Sequence, residues 1–401
     1  MLKRGLNQLF FLLILSFLVG SASSIFLKGL EIAQNSRNSW QLMWFLLPAV
    51  GILFQFFKSY FPNLHHTGTN DFVEIVQQKE KKTSAFFSGY ILLATWISHL
   101  AGASVGREGT AVQIGASFSE QLSNRFNFTK EEKSIWLRAG MSAGFASVFG
   151  TPFAGVLFGL EVSKVGEISW KSILPCLASA FFANFISLHV YDTNHIIYPA
   201  VFLPTQNIQF WANILFIGLF LGLIGFTYKA LESNIYKLAE RLPKHYILKG
   251  IISGLFVYLI LQTETFKSCV GLGTEKLLEP FTKNSDLYFF IKKLFTTALS
   301  LGVGYKGGEA TPLFLIGAHA GATYSNFSNL PIELAAAIGF VALYAGLAKT
   351  PLTGMMLGIE LFTFHAWFIY LICTIIVIYT SGKKGLFATQ NWSIKLPKPL
   401  Y

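Results

Sequence analysis

The sequence predicts an all-α polytopic membrane protein built as two inverted-topology repeats, with many tilted and broken helices. Three observations carry this expectation. Of the 401 residues, 53% are hydrophobic and only 13% charged, and the mean hydropathy is +0.51. A soluble domain is about one-quarter charged, so a chain of this length has too few charges to solvate a surface in water. Apolar runs then follow one another with little polar sequence between them, and two pairs of motifs recur half a chain apart. Together these argue against a soluble enzyme, a disordered scaffold and a nucleic-acid binder.

A membrane-spanning helix needs about 20 mainly apolar residues. Candidate spans lie near 6–30, 40–60, 85–104, 169–191, 209–230, 246–262, 286–303, 332–348 and 363–381. Shorter, glycine-rich apolar pieces lie near 106–120, 139–162, 305–324 and 350–362. These are too interrupted for simple spans. They read as half-helices meeting at membrane depth, where irregular backbone is tolerated only if it is buried or lines a cavity.

The net charge of +11 comes mostly from short basic clusters between apolar runs. Such clusters report orientation. Lys229, Lys237, Arg241, Lys244 and Lys249 crowd one loop, whereas 189–228 contains no Lys or Arg. The start (Lys3, Arg4), "KEKK" at 79–82 and the end (Lys383, Lys384, Lys395, Lys398) are also basic. Both termini and the 229–249 loop are therefore expected in the cytoplasm and the 192–208 linker outside. With no long polar tail, no soluble regulatory domain is expected. The opening residues, with apolar 9–19 and then "GSASS", resemble a signal peptide; the spans that follow without pause favour a retained helix. Cys176, Cys269 and Cys373 are scattered and odd in number, so they define neither a disulfide framework nor a metal site.

The internal repeat is the most informative feature. "TPFAGVLFGLE" (151–161) and "TPLTGMMLGIE" (350–360) share T-P-x-x-G-x-x-x-G-x-E without a gap. "GREGTAVQIGA" (106–116) and "GGEATPLFLIGA" (307–318) share G-x-E-x-T and a later I-G-A, with one residue of slip. A linker outside and both termini inside give each half an odd number of crossings, so the halves, 1–195 and 196–401, are inverted relative to one another. Inverted repeats with interrupted helices mark secondary transporters and some channels, with the site between the halves.

Glu108, in "GREGT", is expected at the start of a short apolar helix. Helix N-termini carry unpaired N–H groups and a positive dipole end, which favour an anion. A carboxylate there occupies the anion's own seat and leaves it on protonation, so one side chain could exchange a proton against an anion. The alternative is a glutamate that merely complements the dipole. Glu309 is its counterpart, ahead of Pro312, which suits a first helical turn. Glu161 and Glu360 fall late in helices, where an interfacial structural carboxylate and a transport role both remain open. His99 and His319 lie in apolar stretches and read as hydrogen-bonded packing residues. "HHTGTND" (65–71) reads as an ordinary loop or a pore-lining break.

Catalytic look-alikes carry little weight. "GMSAG" (140–144) matches G-x-S-x-G, but that chemistry needs a strand–turn–helix, and here the motif sits in a small-residue membrane helix. H-E-x-x-H and Walker A patterns are absent from the sequence, and no Rossmann fingerprint, which needs its glycines between a strand and a helix, is expected. No metal and no cofactor are expected. A few of the 40 Phe residues could present electropositive ring edges to a small anion.

"GREGTAVQIGAS" (106–117), "GGEATPLFLIGAHAG" (307–321) and "TPLTGMMLGIELF" (350–362) resemble the signature segments of the CLC anion channels and proton-coupled anion antiporters. The resemblance covers nearly the whole chain. It implies a CLC-like fold and a homodimer with one pore per subunit in the cell membrane. Chloride-selective members usually carry "GSGIP", "GREGP" and "G-x-F-x-P". This chain has "GTNDF" (68–72), "GREGT" and "GGEATP" instead, which is similar to the fluoride-exporting branch, where fluoride leaves against entering protons.

By that resemblance Glu108 is the gating glutamate and Glu309 assists proton movement. Thr69, Asn70, Gly106, Arg107, Gly109, Thr110, Ala310 and Thr311 form the anion path. Phe387, in "GLF" (385–387), takes the place of a pore-facing Tyr, so a hydroxyl donor is missing there. Val162 stands where chloride/proton antiporters carry an internal glutamate, so the proton must enter another way, through Glu309 and water. Fluoride is small and strongly hydrated, and stripping its water needs close donors such as Thr69, Thr311, the Asn70 amide and helix-start N–H groups. The leading expectation is thus a fluoride/proton antiporter. The alternatives are a CLC chloride or nitrate transporter or a passive channel with an unusual filter and, from another class, an intramembrane hydrolase using Ser142.

Overall fold

The computed structural model describes residues 2–40, 45–282 and 286–393. The start of the expected 40–60 span, and Lys395 and Lys398 of the basic C-terminal end, lie partly or wholly outside them. Sixteen α-helices are present among the described residues: α1 (Leu2–Ser39), α2 (Leu46–Tyr60), α3 (Pro62–His65), α4 (Thr69–Val76), α5 (Phe87–Leu100), α6 (Glu108–Arg125), α7 (Lys130–Phe149), α8 (Pro152–Glu161), α9 (Ile173–His189), α10 (Ile208–Glu240), α11 (Tyr246–Gln262), α12 (Phe289–Gly302), α13 (Ala310–Ser325), α14 (Ile332–Ala348), α15 (Pro351–Leu361) and α16 (Trp367–Thr380).

Helix lengths separate spans from fragments. Only Arg4–Ser39, Trp170–His189 and Ile208–Glu240 are long and apolar enough to cross a bilayer unaided, among the described residues. At 1.5 Å per residue, α1 and α10 run roughly 50 Å or more, well beyond a hydrocarbon core of about 30 Å, so both must tilt or project from it. Most of the others are shorter, and the starts of α6 and α13 are buried in protein, as the interrupted pattern implied.

Three expectations about elements are corrected. The basic 229–249 stretch is not a loop: α10 carries Lys229 and Lys237 as far as Glu240, α11 starts at Tyr246, and only 241–245 connect them. The 139–162 piece is two helices. α7 starts at Lys130, behind a capping box in which Thr129 and Glu132 satisfy each other's backbone N–H. It stops at Gly150, which takes a left-handed φ of 72°, and Pro152 opens α8. The 65–71 turn is shorter than expected, because Gly68 already caps α4 and Asp71 accepts from its N–H.

The two halves use the same packing device. α6 crosses α7 at Gly115 and Gly140, where a Cβ on Gly115 would lie 2.1 Å from the Gly140 carbonyl. α13 crosses α14 at Gly317 and Gly339, where a Cβ on Gly339 would lie 1.9 Å from the Gly317 carbonyl. Side-chain-free crossings let backbones touch, which is how helices associate where no hydrophobic force drives them. Every residue of α14 from Leu334 to Ala348 is buried, which puts this helix at the centre of the molecule.

A second device locks the halves together. Thr151 and Thr350 precede α8 and α15, yet neither side chain makes the usual N-cap bond. The glutamate at the end of the opposite helix does it instead. Glu161 accepts from the backbone N–H of Leu352 (3.0 Å) and Thr353 (2.8 Å) and from the Thr353 hydroxyl (2.8 Å). Glu360 accepts from the backbone N–H of Phe153 (3.0 Å) and Ala154 (2.8 Å). The repeated T-P…E motif is therefore a reciprocal clamp, which gives both carboxylates a structural role.

The C-terminal segment returns to the core. Asn391–Trp392 pairs in parallel with Lys164–Val165, Leu386 N–H donates to the Leu347 carbonyl at 2.9 Å, and the Gln390 amide donates to the Val162 and Ala348 carbonyls. This holds Phe387 against Phe158, ring centroids 6.0 Å apart.

Candidate functional site

The site forms where the residues before α6 and α13 meet. Gly106 N–H donates to the Gly308 carbonyl at 2.5 Å, and Gly308 N–H donates back to the Gly106 carbonyl at 2.7 Å. A Cβ on Gly308 would lie 2.7 Å from the Gly109 nitrogen, and one on Gly106 would lie 2.7 Å from the Pro312 ring. Both positions need glycine for lack of space. The bridge brings two helix N-termini together, and α4 adds a third through Thr69. Three positive dipole ends thus converge at one depth.

Glu108 is 1% exposed. Its carboxylate accepts from the Thr311 backbone N–H at 2.9 Å and also from the Thr311 hydroxyl. It thereby caps α13, a helix of the other half. Arg107 Nε donates to its second oxygen at 3.1 Å. The carboxylate occupies the kind of seat a helix start offers to a free anion.

Cavities lie on both sides of this carboxylate. A central chamber of about 70 Å³ is lined by Thr69, Gly109, Glu309, Ala310 and Phe387, with Tyr344 from α14; it has room for a few water-sized occupants. On the side of the 192–208 linker, a crevice of about 10 Å³ is bounded by Arg107, Glu108, His195 and Thr311. A vestibule of about 430 Å³ shares Arg107 and Ile196 with the crevice. The crevice and the chamber share no lining residue, and Glu108 borders the crevice but not the chamber.

The expected site residues thus fall into separate groups. Thr69, Gly109, Glu309, Ala310 and Phe387 line the chamber. Arg107, Glu108 and Thr311 lie on the linker side, and Gly106 forms the bridge between. Asn70 and Thr110 do not line the chamber. The Asn70 Oδ1 accepts from Thr389 N–H at 3.4 Å and the Thr389 hydroxyl at 3.3 Å. The Thr110 hydroxyl pairs with that of Thr95 at 2.9 Å. Thr69 accepts from the Gln113 amide at 3.0 Å, so its own hydrogen is free for the chamber.

Glu309 accepts from the Tyr228 hydroxyl at 3.0 Å. Lys229 lies 3.8 Å from the same carboxylate and 2.6 Å from Glu232. A polar chain thus runs from the chamber into the later part of α10. Sequence reasoning missed Tyr228, Lys229 and Glu232, which look like one more stretch of an amphipathic helix end. It also missed Tyr344 and His195, whose Nε2 has no hydrogen-bond partner among the described residues. No local motif marks either one.

The remaining candidates are packing residues. His99 Nδ1 bonds the Thr95 carbonyl at 2.8 Å, and His319 Nε2 bonds that of Lys276 at 3.1 Å. Ser142 is fully buried in mid-α7, where its Oγ would lie 2.1 Å from a Cβ on Gly159. That crossing leaves no room for a substrate carbonyl and provides no strand–turn–helix.

Known proteins resemble this arrangement. The voltage gated chloride channel family profile matches residues 50–382. A chloride/fluoride channel protein of Pseudomonas syringae pv. tomato is 33% identical over 388 residues, covering 94% of this chain and 85% of that protein. An H(+)/Cl(-) exchange transporter, ClcA, of Vibrio cholerae serotype O1 is 25% identical over 399 residues, covering 90% and 82%. Among solved structures, a CLC-type fluoride/proton antiporter superposes with a TM-score of 0.90 at 28% identity, covering 96% of this chain and 97% of that one. A slow cyanobacterial Cl-/H+ antiporter gives 0.79 at 19% identity, covering 94% and 95%, a likeness of fold.

Proposed function

The chain belongs to the voltage-gated chloride channel family, and from that premise we propose that it exports fluoride in exchange for protons across the cell membrane. One observation carries this reading: Glu108 is seated on the Thr311 N–H at the start of α13, between a chamber and a crevice that do not join. The names of the similar chloride/fluoride channel protein and fluoride/proton antiporter support the choice of ion.

The geometry supplies a cycle. Ionised, Glu108 competes with the anion for the helix N-terminus and closes the path. Protonated, it loses its charge-assisted bonds to Thr311 and Arg107, which are roughly twice as strong as neutral ones. It then vacates the seat, the anion passes, and the proton is handed on as the carboxylate returns. Glu309 takes that proton from the chamber, and Tyr228, Lys229 and Glu232 lead it along α10. This route needs no acid at Val162, which is fully buried at the end of α8. The hydroxyls of Thr69 and Thr311 and the N–H groups of Gly109 and Ala310 replace the water of a small anion, while Phe387 offers ring edges.

Several further features belong to the proposal. Both termini and the α10–α11 junction with its basic residues face the cytoplasm and the 192–208 linker faces outward, a placement supported by the Lys and Arg bias. The halves divide at 195/196, and two subunits pair with one path each. The chain transports ions and catalyses no covalent chemistry.

Anion efflux from liposomes holding the purified protein, with external pH recorded, tests the reading. Fluoride efflux with proton uptake and little chloride flux is expected. Fluoride flux without proton movement sinks it. Chloride flux of equal size favours chloride/proton exchange or a passive channel, the second reading, supported by similarity to the V. cholerae exchanger.

A further inference from the structure

A site that removes water from a small anion must return hydrogen-bond donors, and Phe387 gives the chamber none. The chamber has another aromatic wall residue. Tyr344 sits in the apolar stretch of α14 that follows Glu333 and is 3% exposed. Its ring packs against Phe314, centroids 4.7 Å apart, and the side chain faces the chamber with Thr69, Glu309 and Phe387.

Buried Tyr hydroxyls ordinarily find a partner. Tyr305 donates to the Leu47 carbonyl at 2.6 Å, and Tyr228 donates to Glu309 at 3.0 Å. Among the described residues the hydroxyls of Tyr344 and Tyr370 make no hydrogen bond, and of these two Tyr344 lines the chamber. The phenol shares the chamber wall with Glu309. An uncommitted donor facing a polar chamber in the middle of an apolar helix has no packing purpose that Phe would not serve better.

We propose that Tyr344 is the chamber's hydroxyl donor, binding the transported anion in place of the donor that Phe387 lacks. This rests on the chamber being the anion path. The hydroxyl reaches it from α14, a helix held rigid by burial on all sides. The donor is therefore preorganised, and the anion meets it without rearranging backbone.

The test compares wild type, Y344F and the double variant Y344F/F387Y in the liposome efflux assay. Calorimetric titration of the detergent-solubilised proteins with sodium fluoride gives affinity, and thermal melting checks folding. Y344F is expected to lose about tenfold or more in fluoride flux and affinity, as for one hydrogen bond to a charged group, with the melting temperature unchanged. F387Y, which restores a hydroxyl across the same chamber, is expected to recover a substantial part of both. Flux and affinity within twofold of wild type in Y344F overturn the proposal. So does a loss of flux with unchanged affinity, or a loss that tracks a lowered melting temperature and is not recovered in the double variant. A wild-type protein that moves chloride and not fluoride overturns the choice of ion alone, and the same variants then test Tyr344 with sodium chloride.

Discussion

The carboxylate of Glu108 accepts a hydrogen bond from the backbone N–H of Thr311 at 2.9 Å, across 203 residues of sequence. This contact joins the two halves beside the crevice. A charged acceptor holds such a bond more strongly than a neutral one, and in the proposed cycle that difference makes it a latch that a single proton opens.

Glu108→Gln removes that dependence. The amide still bonds Thr311 but neither gains nor loses a proton. Fluoride efflux from liposomes is expected to proceed without proton uptake or to stall. Coupled exchange at the wild-type rate would refute the latch.

Thr311→Ala keeps the backbone N–H and deletes the hydroxyl that also bonds Glu108. Loss of one hydrogen bond to a charged group costs about 1.5–3 kcal/mol, so the preference for fluoride over chloride should fall about tenfold or more. The ratio of the two fluxes in one liposome preparation measures this. An unchanged ratio would remove Thr311 from the anion path.

Glu161→Ala and Glu360→Ala open the reciprocal clamp. Each leaves buried helix-start N–H groups without an acceptor, at a cost of about 2 kcal/mol or more. Glu161 has three donors and is 5% exposed, so its loss should lower the melting temperature in detergent further than that of Glu360. The double variant should deviate from additivity, because both carboxylates hold the same α8–α15 pair. Equal, negligible shifts would contradict the clamp.

Gly308→Ala places a methyl group 2.7 Å from the Gly109 nitrogen. Neither backbone can yield without breaking the Gly106–Gly308 bridge, so coupled flux should be lost while the protein still inserts in membranes. Wild-type transport by this variant would show that the bridge is dispensable.

Ser142→Ala should leave flux near wild type, since the Ser142 hydroxyl makes no hydrogen bond among the described residues and faces a helix crossing. A complete loss of function would return the hydrolase reading to contention.

Much of this was legible in the sequence because its causes are local. Apolar runs and glycine interruptions depend on neighbours a few residues away, so α14 falls within 332–348 as read and the broken helices appear where interruptions do. Glu108 could be picked out because a carboxylate at a helix start beside close-packed glycines carries its own chemical argument. The repeat, too, was visible, since duplicated T-P…E motifs keep their spacing.

What the sequence withheld depends on contacts between distant segments. Nothing near Glu161 says that its partners are Leu352 and Thr353, and the same motif served equally for an interfacial carboxylate. Asn70 and Thr110 share the motif with true chamber residues, but helix rotation turns their side-chain groups toward Thr389 and Thr95. Tyr344 reads as one more apolar residue in a buried helix, and only the packing of α14 against the returning C-terminal segment opens its hydroxyl to the chamber. The sequence by itself determined the membrane, the repeat and the glutamate at a helix start, because composition and helix-end chemistry are properties of short stretches. The tertiary structure alone decided which donors face the chamber, because that direction is set by how helices from both halves pack around one shared cavity.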